Sequence, residues 1–438
     1  MANWKKLIGG AAAVAIVAAA GAGFWAWTSL NTSASDVADD TVRLADFKST
    51  DSEAIKRGEY VMRLADCSAC HTRESGDFAG GYNVKTPFGT LVSSNVTPDP
   101  ETGIGNMTER DFFNSVRQGI GQHGMLYPAM PFTAYRKLTD QDMHDLWAYM
   151  STIEPVKNDI DENAGMPFPF NIRLAMAGWD TLFFDNSGFE QETVKDDAWN
   201  RGKYIVDGPG HCAACHTPRN LLGAEEASAY MHGGNIGAWF APDLTSNPHI
   251  GIGASSVEDI ANYLRTGSDG VAVAAGPMAE AVEHSTQYFT EADALAVATY
   301  LKSLPASPTP AAAAMPTSTP AMQKAALAYE VNCSACHGLQ GEGIEGMVPA
   351  FKDNHGLLSG DATSLIHAML RGARAPNTQD RQTAAGMPSF DWKMNDREVA
   401  EVLDYVRNSW GNSADPVQVN EVQRLRQYLG ANEKMTTP

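Results

Sequence analysis

The sequence predicts an all-α chain, with three small helical units in tandem behind an N-terminal apolar helix. Three observations predict this. The stretch CSACH occurs at 67–71 and again at 333–337, with HCAACH at 211–216 between them, and together they hold all six cysteines. The segments around these motifs repeat along the chain. Apolar residues recur every three and four positions ahead of the cysteines, as at 54–66 and 198–206, whereas strand signals are sparse and short.

The 438 residues suggest about three domains at roughly 150 residues each. A hydrophobic fraction of 43% fits a globular chain. Acidic residues number 52 against 32 basic ones, a formal net charge of −20. That excludes a nucleic-acid binder, which needs a basic footprint. It suits a solvated surface or docking to a basic partner.

Residues 1–35 read as a membrane anchor or an export signal. Lys5 and Lys6 precede 21 uncharged residues, Leu7 to Trp27. A helix of that length spans the bilayer's hydrocarbon core, about 30 Å. The lysines would stay in the cytoplasm, and Trp25 and Trp27 fall where an aromatic belt lies. The alternative is a cleaved signal, for which the apolar run is long and TSA at 32–34 is a poor cleavage site. Either reading exports the chain to an oxidising compartment.

Two units, 50–157 and 196–304, are duplicates. RGEYVMRLADCSACHT at 57–72 resembles RGKYIVDGPGHCAACHT at 201–217. A constant offset of 148 then lays NVTPDPETGIG (95–105) on DLTSNPHIGIG (243–253), Arg117 on Arg265, Gly119 on Gly267 and Met130 on Met278. Between them, 158–195 is an aromatic arm with Phe168, Phe170, Trp179, Phe183 and Phe184. Its density predicts burial as packing between domains, or else a contact surface for a partner or quinone. Residues 305–321 are a Pro/Ala linker. The third unit, 322–411, is more divergent. Its closing helix matches that of the first at an offset of 256, which carries Met130 to within one residue of Met387. Residues 412–438 read as a C-terminal tail. Later helices open on capping boxes or close variants, at Thr108, Ser256, Thr290 and Asn395. The linker predicts that the third unit is the most independently placed.

The cysteines admit four chemistries. A redox dithiol needs no histidine after its second cysteine and sits in a βαβ pattern that is missing here. Structural zinc needs four ligands in one small unit, and each unit here has one cysteine pair. Disulfides leave the three histidines unexplained. C-x-x-C-H is the attachment motif for haem c. Two thiols add to the two vinyl groups on one edge of the macrocycle, and the next residue brings an imidazole beneath the iron. Cys67, Cys70 and His71 would hold one haem, Cys212, Cys215 and His216 a second, and Cys333, Cys336 and His337 a third. Methionine is a usual sixth iron ligand opposite histidine in electron-transfer haem proteins. Met130, Met278 and Met387 follow their histidines by 59, 62 and 50 residues, each just before a closing helix. Their rivals are Met125 and His123 in the first unit, Met231, His232 and His284 in the second, and Met369 and Met394 in the third. The proximal imidazole also needs a hydrogen-bond acceptor for its other nitrogen. Pro349 is the candidate in the third unit, with Pro87 and Pro218 in the first two.

The chain resembles the three-haem cytochrome c subunits of membrane-bound dehydrogenases of acetic acid bacteria. The resemblance runs from about Gly58 to Trp410 and rests on CSACHT, TPFGT at 86–90, NVTPDPETGIG, LYPAMPF, MPFPFNIR and GHCAACHTPRN. It implies three tandem cytochrome-c-like domains that pass electrons from a catalytic subunit, oxidising an alcohol, aldehyde, sugar or sugar acid, to ubiquinone in the cytoplasmic membrane, on its periplasmic face. The catalytic partner would be a quinoprotein, a flavoprotein or a molybdopterin enzyme. No acid–base pair or nucleophile constellation stands out in the chain, so no catalytic residue is assigned. The alternative is a multihaem enzyme, such as a peroxidase, with an open iron position.

Overall fold

A computed structural model describes residues 38–432. The expected helical chain is there. Twelve longer helices are numbered here: α1 (Ser52–Leu64), α2 (Glu109–Gln118), α3 (Asp140–Met150), α4 (Ala175–Phe183), α5 (Asp197–Asp207), α6 (Val257–Thr266), α7 (Pro277–His284), α8 (Glu291–Lys302), α9 (Pro320–Asn332), α10 (Thr363–Arg371), α11 (Asp396–Asn408) and α12 (Val419–Asn432). The described strands form two-stranded antiparallel pairs, such as Asn83–Thr86 with Gly89–Val92, which fold TPFGT into a hairpin. Among the described residues no helix is long and apolar enough to cross a membrane. The apolar stretch within 1–35 lies outside the described residues.

Capping follows the sequence closely. Thr108, Ser256 and Asn395 each close a reciprocal capping box on α2, α6 and α11. Thr290 caps α8 by accepting from the Asp293 amide, but the Asp293 carboxylate is taken up by Arg201 at 2.8 Å through two nitrogens. The first repeat holds the equivalent pair, Arg57 and Asp145, again with two bonds of 2.8 Å. Each pair ties the first helix of its repeat to the closing one. Gly58 and Gly202 stand where these helices cross. A Cβ on Gly58 would run into the Asp145 carbonyl, and one on Gly202 into that of Ala296. In the third repeat α9 and α11 meet through aromatic rings, with Tyr329 5.5 Å from Tyr405 and 5.2 Å from Trp410.

The chain divides into two compact units after Glu190. In the first, the aromatic arm wraps its own repeat. Thr90 donates to the Gly165 carbonyl at 2.9 Å, the Tyr127 hydroxyl to the Phe170 carbonyl at 2.8 Å, and the Phe132 and Phe184 rings meet edge-on at 5.4 Å. The arm is only partly buried, however: Phe168 is 79% exposed, Leu174 75% and Leu182 71%.

The second unit holds both later repeats, so the third is not independently placed. The Pro/Ala segment between them is fastened at both ends. Asn247 donates to the Ser307 and Thr309 carbonyls at 3.1 and 2.9 Å, and Met315 N–H donates to Asn408 at 3.3 Å. The presumed tail is structural too. Val422 and Leu429 of α12 are fully buried in the core of the third repeat with Leu370 and Val399, and Arg426 reaches Asp391 and Asp396.

Candidate functional site

Each C-x-x-C-H motif forms a short helical turn at the end of the repeat's first helix, at Cys67–His71, Ala213–His216 and Ser334–His337. One turn of helix brings both thiols and the imidazole to one place. No disulfide links the six cysteines to one another. Among the described residues no cluster of three or more His, Cys, Asp or Glu side chains is arranged to hold a metal ion. Burial pushes the Cys67 and Cys212 thiols up to about 12 and the Cys333 thiol to about 11. They are held as S–H groups, the form that adds across a vinyl group without losing an atom.

The three histidines share one geometry. His71 Nδ1 lies 2.8 Å from the Ser94 carbonyl, His216 Nδ1 2.7 Å from that of Pro242, and His337 Nδ1 3.0 Å from that of Pro349. A carbonyl can only accept, so each imidazole carries its proton on Nδ1 and leaves the Nε2 lone pair free. Burial lowers the pKa of all three, with the carbonyl bonds working against it, so the rings are held neutral. A neutral imidazole with a fixed Nδ1–H is what an iron ligand requires. These residues therefore fit haem c, with two thiols for the macrocycle and one oriented imidazole for the iron.

Pro349 is the acceptor expected from the sequence. Pro87 and Pro218 are not acceptors for their histidines. Pro87 lies in the hairpin turn between Thr86 and Gly89, and the Pro218 carbonyl accepts from Glu226 N–H at 2.8 Å. The chain returns to the imidazole only after that hairpin, at Ser94 and Pro242, which are related by the same offset of 148. The next residue locks each carbonyl in place. Asn95 Oδ1 accepts from the Thr97 amide and hydroxyl at 3.0 and 2.8 Å, and Asp243 Oδ1 from those of Thr245 at 2.7 and 2.6 Å. This is why the NVT and DLT stretches recur.

The three candidate methionines are all half-buried. Met130 ends a turn, its N–H donating to the Tyr127 carbonyl at 3.0 Å. Met278 is the second residue of α7, after Gly276 with φ +56° and Pro277. Met387 pairs with Ala373 in a short antiparallel bridge. Several rivals are otherwise engaged. Met231 is fully buried, and Met369 and Met394 sit inside the core of the third repeat, which is the ordinary place for methionine. His123 is exposed, and Met125 lies in a hairpin opposite Ile120. His232 and His284 are half-buried, the latter closing α7.

Comparison with known proteins agrees with this chemistry. The cytochrome c family model matches residues 200–305 and 322–410, and the model for subunit III of cbb3-type cytochrome c oxidase matches 53–150. The gluconate 2-dehydrogenase cytochrome c subunit of Pantoea cypripedii is 38% identical over 87% of this chain and 91% of its own length. The chain belongs to the dehydrogenase cytochrome c subunits. Two further members of that family are the fructose dehydrogenase cytochrome subunit of Gluconobacter japonicus and the cytochrome c subunit of the quinone alcohol dehydrogenase of Gluconobacter oxydans. The first is 38% identical over 85% of this chain and 82% of its own, the second 37% over 86% and 83%. Membership of the family makes the chain an electron-transfer protein with covalent haem c.

Proposed function

We propose that the chain is the electron-transfer subunit of a dehydrogenase complex and carries three haems c, in domains at 50–157, 196–304 and 322–411. They relay electrons from a catalytic subunit that oxidises an alcohol, aldehyde, sugar or sugar acid to ubiquinone. The observation that carries this is the thrice-repeated pairing of a C-x-x-C-H histidine with a backbone carbonyl at 2.7–3.0 Å. Haem c, when bound, supplies a one-electron couple. The chain supplies the rest. Cys67 and Cys70, Cys212 and Cys215, and Cys333 and Cys336 hold the macrocycles. His71, His216 and His337 present a neutral Nε2, with Met130, Met278 and Met387 as sixth ligands. The membrane reading rests on residues 1–35, with the described part of the chain on the periplasmic face.

Intact mass and the pyridine haemochrome spectrum should give three haems per chain, and replacing either cysteine pair 212/215 or 333/336 with alanine should leave two. Wild-type chain with two haems would overturn the count. For the sixth ligands, the near-infrared methionine–iron band is the measure. Met130→Ala, Met278→Ala and Met387→Ala should each remove about a third of its intensity, following from one ligand among three equal haems. Full intensity in any one variant would strike that methionine from the set.

A further inference from the structure

The second and third repeats touch through partly buried contacts on the elements that carry the two candidate haem sites. The Phe240 amide donates to Ser364 Oγ at 2.9 Å, and that hydroxyl donates back to the Phe240 carbonyl at 3.0 Å. Phe240 stands two residues before Pro242. Trp239 stacks on His367 of α10 at 4.1 Å, and the same ring fills the space beside Gly276, two residues before Met278.

One peptide group among these contacts has both ends engaged. The Pro349 carbonyl accepts from His337 Nδ1, 3.0 Å away. The N–H of the same amide belongs to Ala350, and it donates to the Val271 carbonyl of the second repeat at 2.9 Å. The result is a chain of two hydrogen bonds from the proximal imidazole of the third repeat, through one amide, into the second. Val271 lies in the loop from α6 to α7, the helix whose second residue is Met278. The loop is fixed by Asp269, whose Oδ1 accepts from the amides of Val271 and Ala272 at 2.9 and 2.6 Å. In the first two repeats the residues at the Ala350 position are Asn95 and Asp243, whose side-chain Oδ1 atoms accept from the threonine amide two residues on, within their own repeat.

We propose that the second repeat sets the reduction potential of the third haem through this amide. The inference rests on the reading of His337 as an iron ligand. Hydrogen bonds in series polarise one another, so an amide whose N–H is engaged is the stronger acceptor at its carbonyl. A stronger acceptor draws the Nδ1 proton away from the ring and raises the basicity of Nε2. A more basic ligand favours ferric iron, so the Val271 carbonyl holds the third potential down. Val271 acts as a positioning residue, through the Pro349–Ala350 amide and the imidazole.

The test is spectroelectrochemical titration of the full chain, comparing wild type with Asp269→Ala, which frees the loop that presents the Val271 carbonyl. The third haem's component is the one missing from the chain lacking Cys333 and Cys336. In Asp269→Ala that component should move to higher potential, about a threefold change in its reduced-to-oxidised ratio at fixed applied potential, a fraction of one net hydrogen bond. The other two components should not move. Asp269→Asn keeps the accepting oxygen and should restore the wild-type value. Ala350→Pro removes the donor outright and should move the same component the same way. An unmoved third component in both Asp269→Ala and Ala350→Pro would overturn the proposal, as would a downward shift. A wild-type chain without a third haem would instead remove the reading beneath it, and the haem count reports that separately.

Discussion

Alanine at position 202 should destabilise the second repeat by about 3 kcal/mol, at the upper end of what overpacking costs. Gly202 lies where α5 crosses α8, and the missing side chain is what allows the approach. A Cβ there would overlap the backbone carbonyl of Ala296 and come within 2.9 Å of Tyr300 Cβ. Neither obstacle is the loose end of a flexible side chain. The carbonyl belongs to the α8 backbone, and Tyr300 is 5% exposed with its ring 5.1 Å from that of Trp199. The helices would have to part, and the Arg201–Asp293 clamp that spans them would stretch with them. Gly178, in the middle of α4, is the control, because nothing lies within 4 Å of a Cβ placed there. Gly178→Ala should be neutral or stabilise by about 0.5–1 kcal/mol, the usual gain from replacing a helical glycine. Hydrogen exchange of the α5 and α8 amides reads both. Unchanged protection in Gly202→Ala would show that the crossing is slack.

What was legible in the sequence was what chemistry or local geometry forces into a fixed spacing. The C-x-x-C-H motifs are of this kind, since two vinyl groups and one iron dictate five consecutive positions. The capping boxes are another, since Thr108 and Asp111, or Asn395 and Glu398, must stand three apart to bond reciprocally. The acceptors of the proximal imidazoles were harder to see because a backbone carbonyl leaves no mark on residue type. Serine serves at 94 and proline at 242. The offset of 148 relating the two repeats holds the signal, while Pro87 and Pro218 stand nearer the motifs in sequence. In the aromatic arm the density of large apolar residues is compatible with burial or with a contact surface, and it does not tell which of them face outward, as Phe168, Leu174 and Leu182 do. Composition marks the linker in the sequence, and position after the third unit marks the tail. The linker is held by asparagine side chains from 60 or more residues away, Asn247 and Asn408, which composition does not reveal. The tail did carry a pattern, with Val422, Leu425 and Leu429 at helical spacing, and that stripe is the one packed into the core.

The other large effect comes from a group that serves no haem site. Asp180, on the inner face of α4 with Ala177, is 3% exposed, and neither of its carboxylate oxygens has a hydrogen-bond partner. Burial alone pushes its pKa from 3.8 up to about 7. A carboxyl whose folded pKa lies above its unfolded value stabilises the fold fully only where both states are protonated, below about pH 4. As pH rises the unfolded chain releases its proton first, and the cost to the folded state grows until about pH 7, above which it is constant. A shift of this size corresponds to a loss of up to about 4 kcal/mol. Asp39, Asp99 and Asp185 are shifted the other way, downward, chiefly by hydrogen bonds from Thr41, Thr102 and Ser187. Their contributions are lost only as pH falls below the ordinary carboxylate value, outside the window from about pH 4 to 7. Within that window Asp180 acts together with His71, whose lowered pKa costs stability as pH falls below the ordinary imidazole value. Comparing Asp180→Asn with wild type cancels the His71 contribution. Asp180→Asn keeps the shape and removes the ionisation. It should raise the unfolding free energy of the first unit at pH 8 by about 2–4 kcal/mol and leave it nearly unchanged at pH 4, flattening the slope between. Denaturant unfolding at pH 4, 6 and 8 measures this. An equal gain at all three values would mean that Asp180 is neutral throughout, and an equal loss would mean that its charge is compensated.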